Sequence, residues 1–186
     1  MTLPFQFKIQ RFRELPSTNT YARKQAALGA DEGMVYVANH QTAGRGQFDR
    51  TWESPVGKNL LFSILLRPPV SPAHAPIVTQ IVCRSVARVL QNHYGISCGI
   101  KKPNDVVAKG KKICGILVES SSASPKKVED VIIGIGLNVN QAPKGIKPAP
   151  VAMKDILARD VDPMEVLNRL LEQLKKDLSE LYAHPA

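Results

Sequence analysis

Apolar positions along this chain follow two periods, and the change from one to the other marks out its elements. MVYVAN at 34–39 and LLFSILL at 60–66 have the length and the β-branched and aromatic content of strands. From Ala73 to His93, Ile77, Val78, Ile81, Val82, Val86, Val89 and Leu90 recur at spacings of three and four, predicting one buried helical face that Gly95 terminates. PMEVLNRLLEQLKKDLSELY at 163–182 repeats Leu167, Leu171, Leu174, Leu178 and Leu181 behind Pro163, a residue suited to a first helical turn, and predicts a packing helix. Ser17 or Thr18 can cap a further helix that leaves at Gly29 or Gly33. VVAKGKKICGILVES at 106–120 reads as two strands about the turn Lys109-Gly110-Lys111, and VIIGIGLNVN at 131–140 as a third that pairs with them. The stretch between 39 and 60 has no period, and QAPKGIKPAP at 141–150 predicts an irregular crossing.

This order of elements mixes α and β, and 186 residues with 44% hydrophobic content suffice for one compact domain over 1–186 with a substantial core. No apolar run reaches the roughly 18 residues of a membrane span. The start MTLPFQFKIQRFRE carries charges where a signal peptide needs its apolar stretch, so the expectation is a cytoplasmic protein without membrane contact. Cys83, Cys98 and Cys114 form no CxxC pair, which argues against a disulfide framework or a zinc site and for a reducing compartment. His40, His74, His93 and His184 show no ligand spacing, and no structural metal is expected. The formal charge of +9, with lysines at 101–112 and at Lys126, Lys127, Lys144 and Lys147, favours phosphate-bearing or acidic partners. Nucleic acid is not the expected partner, because aromatics are only 5% and do not interleave with the lysines as stacking platforms would.

Candidate chemistry sits in three places. The loop QTAGRGQFDRTWESP at 41–55 sets Gly44 and Gly46 about Arg45, then Arg50 and the only tryptophan, Trp52. Glycines admit close backbone approach, arginine offers a donor fork for phosphate or carboxylate, and an indole can close an apolar wall. With little in it to bury, the loop is expected to open without a ligand. The second place is KKPNDVV at 101–107 with GKKICGILVE at 110–119. Asn104 offers an amide for a base or ribose, Asp105 a carboxylate for Mg²⁺ or an amine, and Lys112 a charge on a rigid element. An Asn-Asp turn with a hairpin lysine is the plainer alternative. The third is GIGLNVN at 134–140, where Gly134 and Gly136 either admit a ligand against the sheet or mark bulges, and Asn138 adds an amide.

Taken in order, STN at 17–19, QTAGRG at 41–46, TWESP at 51–55, KKPND at 101–105, GKKICGILVE at 110–119 and GIGLNVN at 134–140 resemble the successive motifs of biotin protein ligases, across roughly residues 12–182. The resemblance implies an α+β fold, a mixed β-sheet flanked by helices, mainly on one side, like class II aminoacyl-tRNA synthetases and lipoate ligases. It implies an enzyme that forms biotinyl-5′-AMP from biotin and ATP, with Mg²⁺ on the polyphosphate, and then passes biotin to a lysine of a biotin carboxyl carrier protein domain. Ser17, Thr18, Asn19 and Gln41 would then face biotin, and Gly44, Arg45, Gly46 and Gln47 would fold over the acyl-adenylate. Lys112 would be the main catalytic group, beside both biotin and nucleotide, aided by Arg45. Trp52, Lys101, Asn104 and Asn138 would serve the nucleotide, Gly115 would leave room for biotin, and Asp105 would lie near the metal or the acceptor lysine.

Two departures bear on these roles. GRGQFDR stands where the family commonly has GRGRRGR or GRGQRG, so Phe48 replaces an arginine and Asp49 a glycine; KKPND replaces KWPND, putting Lys102 in an aromatic's place. A lost positive charge and a gained negative one weaken a phosphate-binding loop unless Asp49 points to solvent or assists Mg²⁺. A catalytically impaired biotin-binding relative is therefore one alternative. A lipoate or octanoate ligase of the same fold is another, although its RRxSGGG-type motif is absent. Neither the DNA-binding domain nor the SH3-like C-terminal domain of many relatives has a counterpart here, so a repressor role is not expected; a homodimer through sheet edges is left open.

Overall fold

The computed structural model describes residues 3–48, 50–71, 75–124 and 127–183. In chain order these form β1 (Lys8–Phe12), α1 (Thr18–Ala27), β2 (Met34–Ala38), β3 (Leu60–Leu66), α2 (Ala75–Tyr94), β4 (Cys98–Lys101), β5 (Asp105–Ala108), β6 (Lys111–Ser124), β7 (Lys127–Leu137), α3 (Met153–Leu157) and α4 (Pro163–Ala183). The strands make one sheet in the order β1-β2-β3-β7-β6-β5-β4. β1 runs parallel to β2 and every other neighbouring pair is antiparallel, so the sheet is mixed as expected.

Alternation along the strands divides the sheet into two faces. Phe62, Ile64 and Leu66 of β3, Ile133, Ile135 and Leu137 of β7 and Cys114 and Ile116 of β6 pack under α2 and α4 in the main core. The helical stripes read from the sequence supply the other half: Val78, Val82, Val86 and Val89 from α2, and Leu167, Leu170, Leu174 and Leu178 from α4. The opposite face is covered unequally. Ala22 and Ala26 of α1 pack on Tyr36, Leu65 and Ile132. Beyond α1, towards β6 and β5, no helix lies over this face among the described residues, and the candidate site occupies it. Helices thus flank both faces, with the larger layer on one.

The sequence reading omitted β1, β4 and α3 and stopped β6 short. β1 and β4 are edge strands with mostly exposed side chains, so they carry no alternating apolar signal. β6 continues through SSSAS on ladder bonds to β7, which a hydrophobic period cannot register. α3 is a five-residue helix. The start of the predicted α2 at Ala73 and His74, together with Lys126 and His184, lies outside the described residues.

All three cysteines are free thiols, Cys83 on α2, Cys98 on β4 and Cys114 on β6. Burial pushes the Cys83 and Cys98 thiols up to about 11, and raises that of Cys114 as well. A thiol pKa higher in the folded than in the unfolded chain gives stability that is complete below the unfolded value, near 9, and is lost as pH rises through the folded value. The melting temperature is therefore expected to hold at neutral pH and to fall between about pH 9 and about 11. Thermal denaturation of the triple Cys→Ser variant checks the cause: its decline over that window should be shallower than the parent's.

Candidate functional site

The site's floor is a strip of sheet with almost no side chains. Across it, Asp105 of β5 pairs with Gly115 of β6, Gly115 with Gly136 of β7, and Gly136 with Leu61 of β3. One step along, Leu117 pairs with Gly134 and Gly134 with Ser63. The β3–β7 register is unbroken, so Gly134 and Gly136 are not bulges; they are close-approach positions. A Cβ on Gly134 would lie 2.1 Å from Asn19 Oδ1, and one on Gly136 would lie 2.5 Å from the Trp52 ring. The room expected there for a ligand is taken by these two side chains, one from α1 and one from the loop. Gly115 likewise faces Trp52 and the Lys112 side chain.

The residues expected to face biotin form a cluster around the start of α1, bonded largely to one another. Ser17 caps the helix, accepting from Thr20 N. Thr18 N and Oγ1 lie 2.7 and 3.0 Å from Gln41 Oε1, so the amide oxygen of Gln41 is occupied by the first turn. Ser63 Oγ lies 2.7 Å from Thr18 Oγ1 and 2.6 Å from Asn19 Oδ1. Asn19 Nδ2 donates to Leu117 O and to Glu119 Oε2 at 2.8 Å. Ser17, Thr18, Asn19 and Ser63 are all buried, which makes this a prearranged polar wall.

The loop folds as a small hairpin. Trp52 N donates to Gly44 O at 2.9 Å, and Gly46 N to Arg50 O, with Arg45 bridged to Thr51. A Cβ on Gly44 would fall 2.3 Å from Trp52 O, so the strands can close only on glycine. Trp52, lying on the floor glycines, anchors this loop to the sheet. Arg45 points to Glu119, at 3.0 Å from its Oε1, so the direction of its guanidinium is set by an ion pair. Phe48 is 83% exposed with φ of 53°, and Asp49 lies outside the described residues. Gln47 and Arg50 line the cavity mouth.

Lys112 reaches the same floor because β6 bulges. Val106 pairs with Cys114 and Val107 with Lys112, so Ile113 is an extra residue that resets the alternation and turns Lys112 to the side of Gly115. Its Nζ lies 2.7 Å from Asp105 Oδ1 and 5.3 Å from the centre of the Trp52 ring. Asp105 is therefore an ion-pair partner of Lys112, not a carboxylate standing by for a metal. Among the described residues no group of three or more His, Cys, Asp and Glu could hold an ion. Asn104 also has a structural duty: its Nδ2 donates to Ile116 O at 2.7 Å and its carbonyl accepts from Ile116 N. Asn138 is 1% exposed and donates from Nδ2 to Val151 O, while its Oδ1 has no partner among the described residues. The buried indole Nε1 of Trp52 is likewise without one. Lys101 is exposed and lines the cavity, as do Ile146, Lys147 and Pro148 of the irregular crossing. The cavity is about 550 Å³, and Ser17, Thr18, Asn19, Gln41, Arg45, Gly46, Gln47, Trp52, Lys101, Asn104, Asp105, Lys112, Gly115 and Asn138 all line it. Of the expected residues only Gly44 is not in that lining.

The family model described as the biotin/lipoate A/B protein ligase family matches residues 12–138. The chain belongs to this family. Among curated relatives, the bifunctional ligase/repressor BirA of Bacillus subtilis is 34% identical over 174 residues, covering 91% of this chain and 53% of that protein. A biotin–[acetyl-CoA-carboxylase] ligase of Mycobacterium tuberculosis is 34% identical over 165 residues, covering 86% of this chain and 59% of that protein. The chain thus spans little more than half the length of these relatives. A solved biotin protein ligase of Aquifex aeolicus, in complex with biotin and ATP, superposes with a TM-score of 0.81 at 30% identity, over 95% of this chain and 72% of that one. The fold is thereby that of the family's catalytic domains. No described helix is long and apolar enough to cross a membrane.

Three residues of this family site were not singled out from the sequence. Ser63 is the only polar residue in LLFSILL, and that isolation was a usable signal. Glu119 lies on the face of Gly115 and Leu117 by simple alternation. Arg23, which also bonds Glu119, gave no signal, because only the packing of α1 on the sheet brings it there. Since Trp52 is the only tryptophan, its fluorescence reports on the floor directly. Gly136→Ala is expected to lift the indole into water and shift its emission to the red, measured against the unaltered protein; an unchanged spectrum would contradict the close packing of Trp52 on Gly136.

Proposed function

We propose that this chain is the catalytic unit of an ATP-dependent biotin protein ligase. Biotin's carboxylate attacks the α-phosphate of ATP, forming biotinyl-5′-AMP and releasing pyrophosphate; the amine of an acceptor lysine then attacks the acyl carbon and AMP leaves. The observation that carries the reading is Lys112, turned by a bulge onto a glycine floor and aligned by Asp105 inside a cavity that Arg45 also lines.

The polar wall of Ser17, Thr18, Asn19 and Gln41 suits the ureido end of biotin, with the free Gln41 Nε2 as a donor. Lys112 would lie against the carboxylate and α-phosphate, where an ammonium offsets the charge that builds up in the pentacoordinate state. The orphaned Asn138 Oδ1 and Trp52 N–H fit the amino and ring-nitrogen edge of a base, with Asn104 holding the floor and Lys101 at the polyphosphate end. Gly44, Gly46 and Gln47 would cover the adenylate. Mg²⁺ would shield the triphosphate oxygens and be held mainly by them, because Asp105, already paired with Lys112, offers no carboxylate cluster. In the transfer step Asp105 is suitably set to receive the acceptor amine.

The acceptor we infer is a biotin carboxyl carrier protein domain, drawn to the exposed lysines at 101, 102, 109 and 111. The exposed backbone edge of β4 supports a homodimer, and three free thiols support a cytoplasmic setting.

Biotin is expected to drive ATP–pyrophosphate exchange and lipoate is not; the reverse preference would make this a lipoate-type enzyme. Lys112→Ala is expected to lower adenylate formation by about 100-fold or more, the loss typical of one transition-state charge donor. Its cost in stability should be about 1 kcal/mol, from the unpaired Asp105. Near-normal exchange by a folded variant would remove Lys112 from the mechanism.

A further inference from the structure

Glu119 is the only acidic side chain on the open face of β6, and three groups converge on it. Arg45 Nη2 lies 3.0 Å from its Oε1, Asn19 Nδ2 lies 2.8 Å from its Oε2, and the Arg23 guanidinium bonds Oε1 as well. The carboxylate is 16% exposed, against 44% for Arg45 and 58% for Arg23, so it is a fixed wall group that holds two more mobile cations. We propose that Glu119 is the positioning residue of the loop 41–52. It anchors Arg45 from behind and leaves the remaining N–H groups of that guanidinium for the anionic part of the bound ligand.

An arginine has five N–H donors, and the contacts to Glu119 use one from each terminal nitrogen, leaving Nε–H and the outer terminal N–H groups. The anchor fixes the direction of the fork before a ligand arrives, which lowers the ordering cost on binding. It also ties the hairpin to the polar wall, since Asn19 shares the same carboxylate. Arg23 adds a second cation on Oε1, which helps hold the carboxylate in place.

The inference rests on the ligase reading, and the test separates the two. Exchange activity of the unaltered protein with biotin and ATP examines that reading alone. Limited trypsin cleavage after Arg45 and Arg50 in the ligand-free protein examines the anchor whatever the activity is. Glu119→Gln is expected to speed this cleavage and to raise KM for biotin and ATP by about fivefold, the worth of one partly exposed ion pair, with kcat changed less. Glu119→Asp, which keeps the charge on a shorter arm, is expected to fall between, and serves as the measured variant if the glutamine form does not fold. The deciding comparison is the double variant Glu119→Gln with Arg45→Gln. If Glu119 works through Arg45, the double variant is no worse than Arg45→Gln alone. Additive losses, or cleavage unchanged in a folded Glu119 variant, would overturn the proposal.

Discussion

The contact of two side chains with bare backbone, Asn19 over Gly134 and Trp52 over Gly136, is what the site's geometry depends on. A strand whose outward positions carried any Cβ would push both side chains off the sheet, because the added atoms would lie 2.1 and 2.5 Å from them. The polar wall around α1 and the hairpin of the loop would then lose their common base. The glycines are costly to order and bring no side chain to the core, but β7 is paired on both sides and its other face is filled with Ile133, Ile135 and Leu137. The strength of one face therefore sustains the openness of the other.

Onto this floor the fold brings cations that are already matched. Lys112 meets Asp105 and Arg45 meets Glu119, so neither charge waits in isolation. A half-buried ammonium beside an indole would be expensive without its carboxylate, and a loop arginine without one would sample many directions. Pairing makes both groups precise in position while leaving donors for an anion. The same arrangement explains why Asp105 is a poor candidate for a metal ligand: its oxygen is turned to Lys112. Among the described residues, the Asn138 oxygen and the Trp52 N–H are buried without partners, an acceptor and a donor suited to a polar heterocycle.

Much of this was legible in order along the chain. The strands at 34–38, 60–66 and 131–137, both long helices and the cap at Ser17 follow from period and capping chemistry, because each is decided within a few neighbouring residues. The motif blocks also contain most of the residues that line the cavity, though not its side from Pro143 to Pro150, because glycines beside an arginine, an Asn-Asp turn and a lysine on a strand are local patterns and an irregular crossing is not. Edge strands β1 and β4 stayed hidden because their side chains face water and are free of the alternation that burial imposes.

The sequence by itself determined the long helices and the buried strands, the family resemblance and the residue types of the site. The tertiary structure alone decided which atoms of those residues are already spoken for. The bulge at Ile113 that turns Lys112 inward depends on pairing with β5, and the convergence of Arg23, Arg45 and Asn19 on Glu119 spans 100 positions of chain. Period and motif describe a residue's near neighbours. Hydrogen bonds and ion pairs between distant strands and loops exist only once the sheet has brought them together.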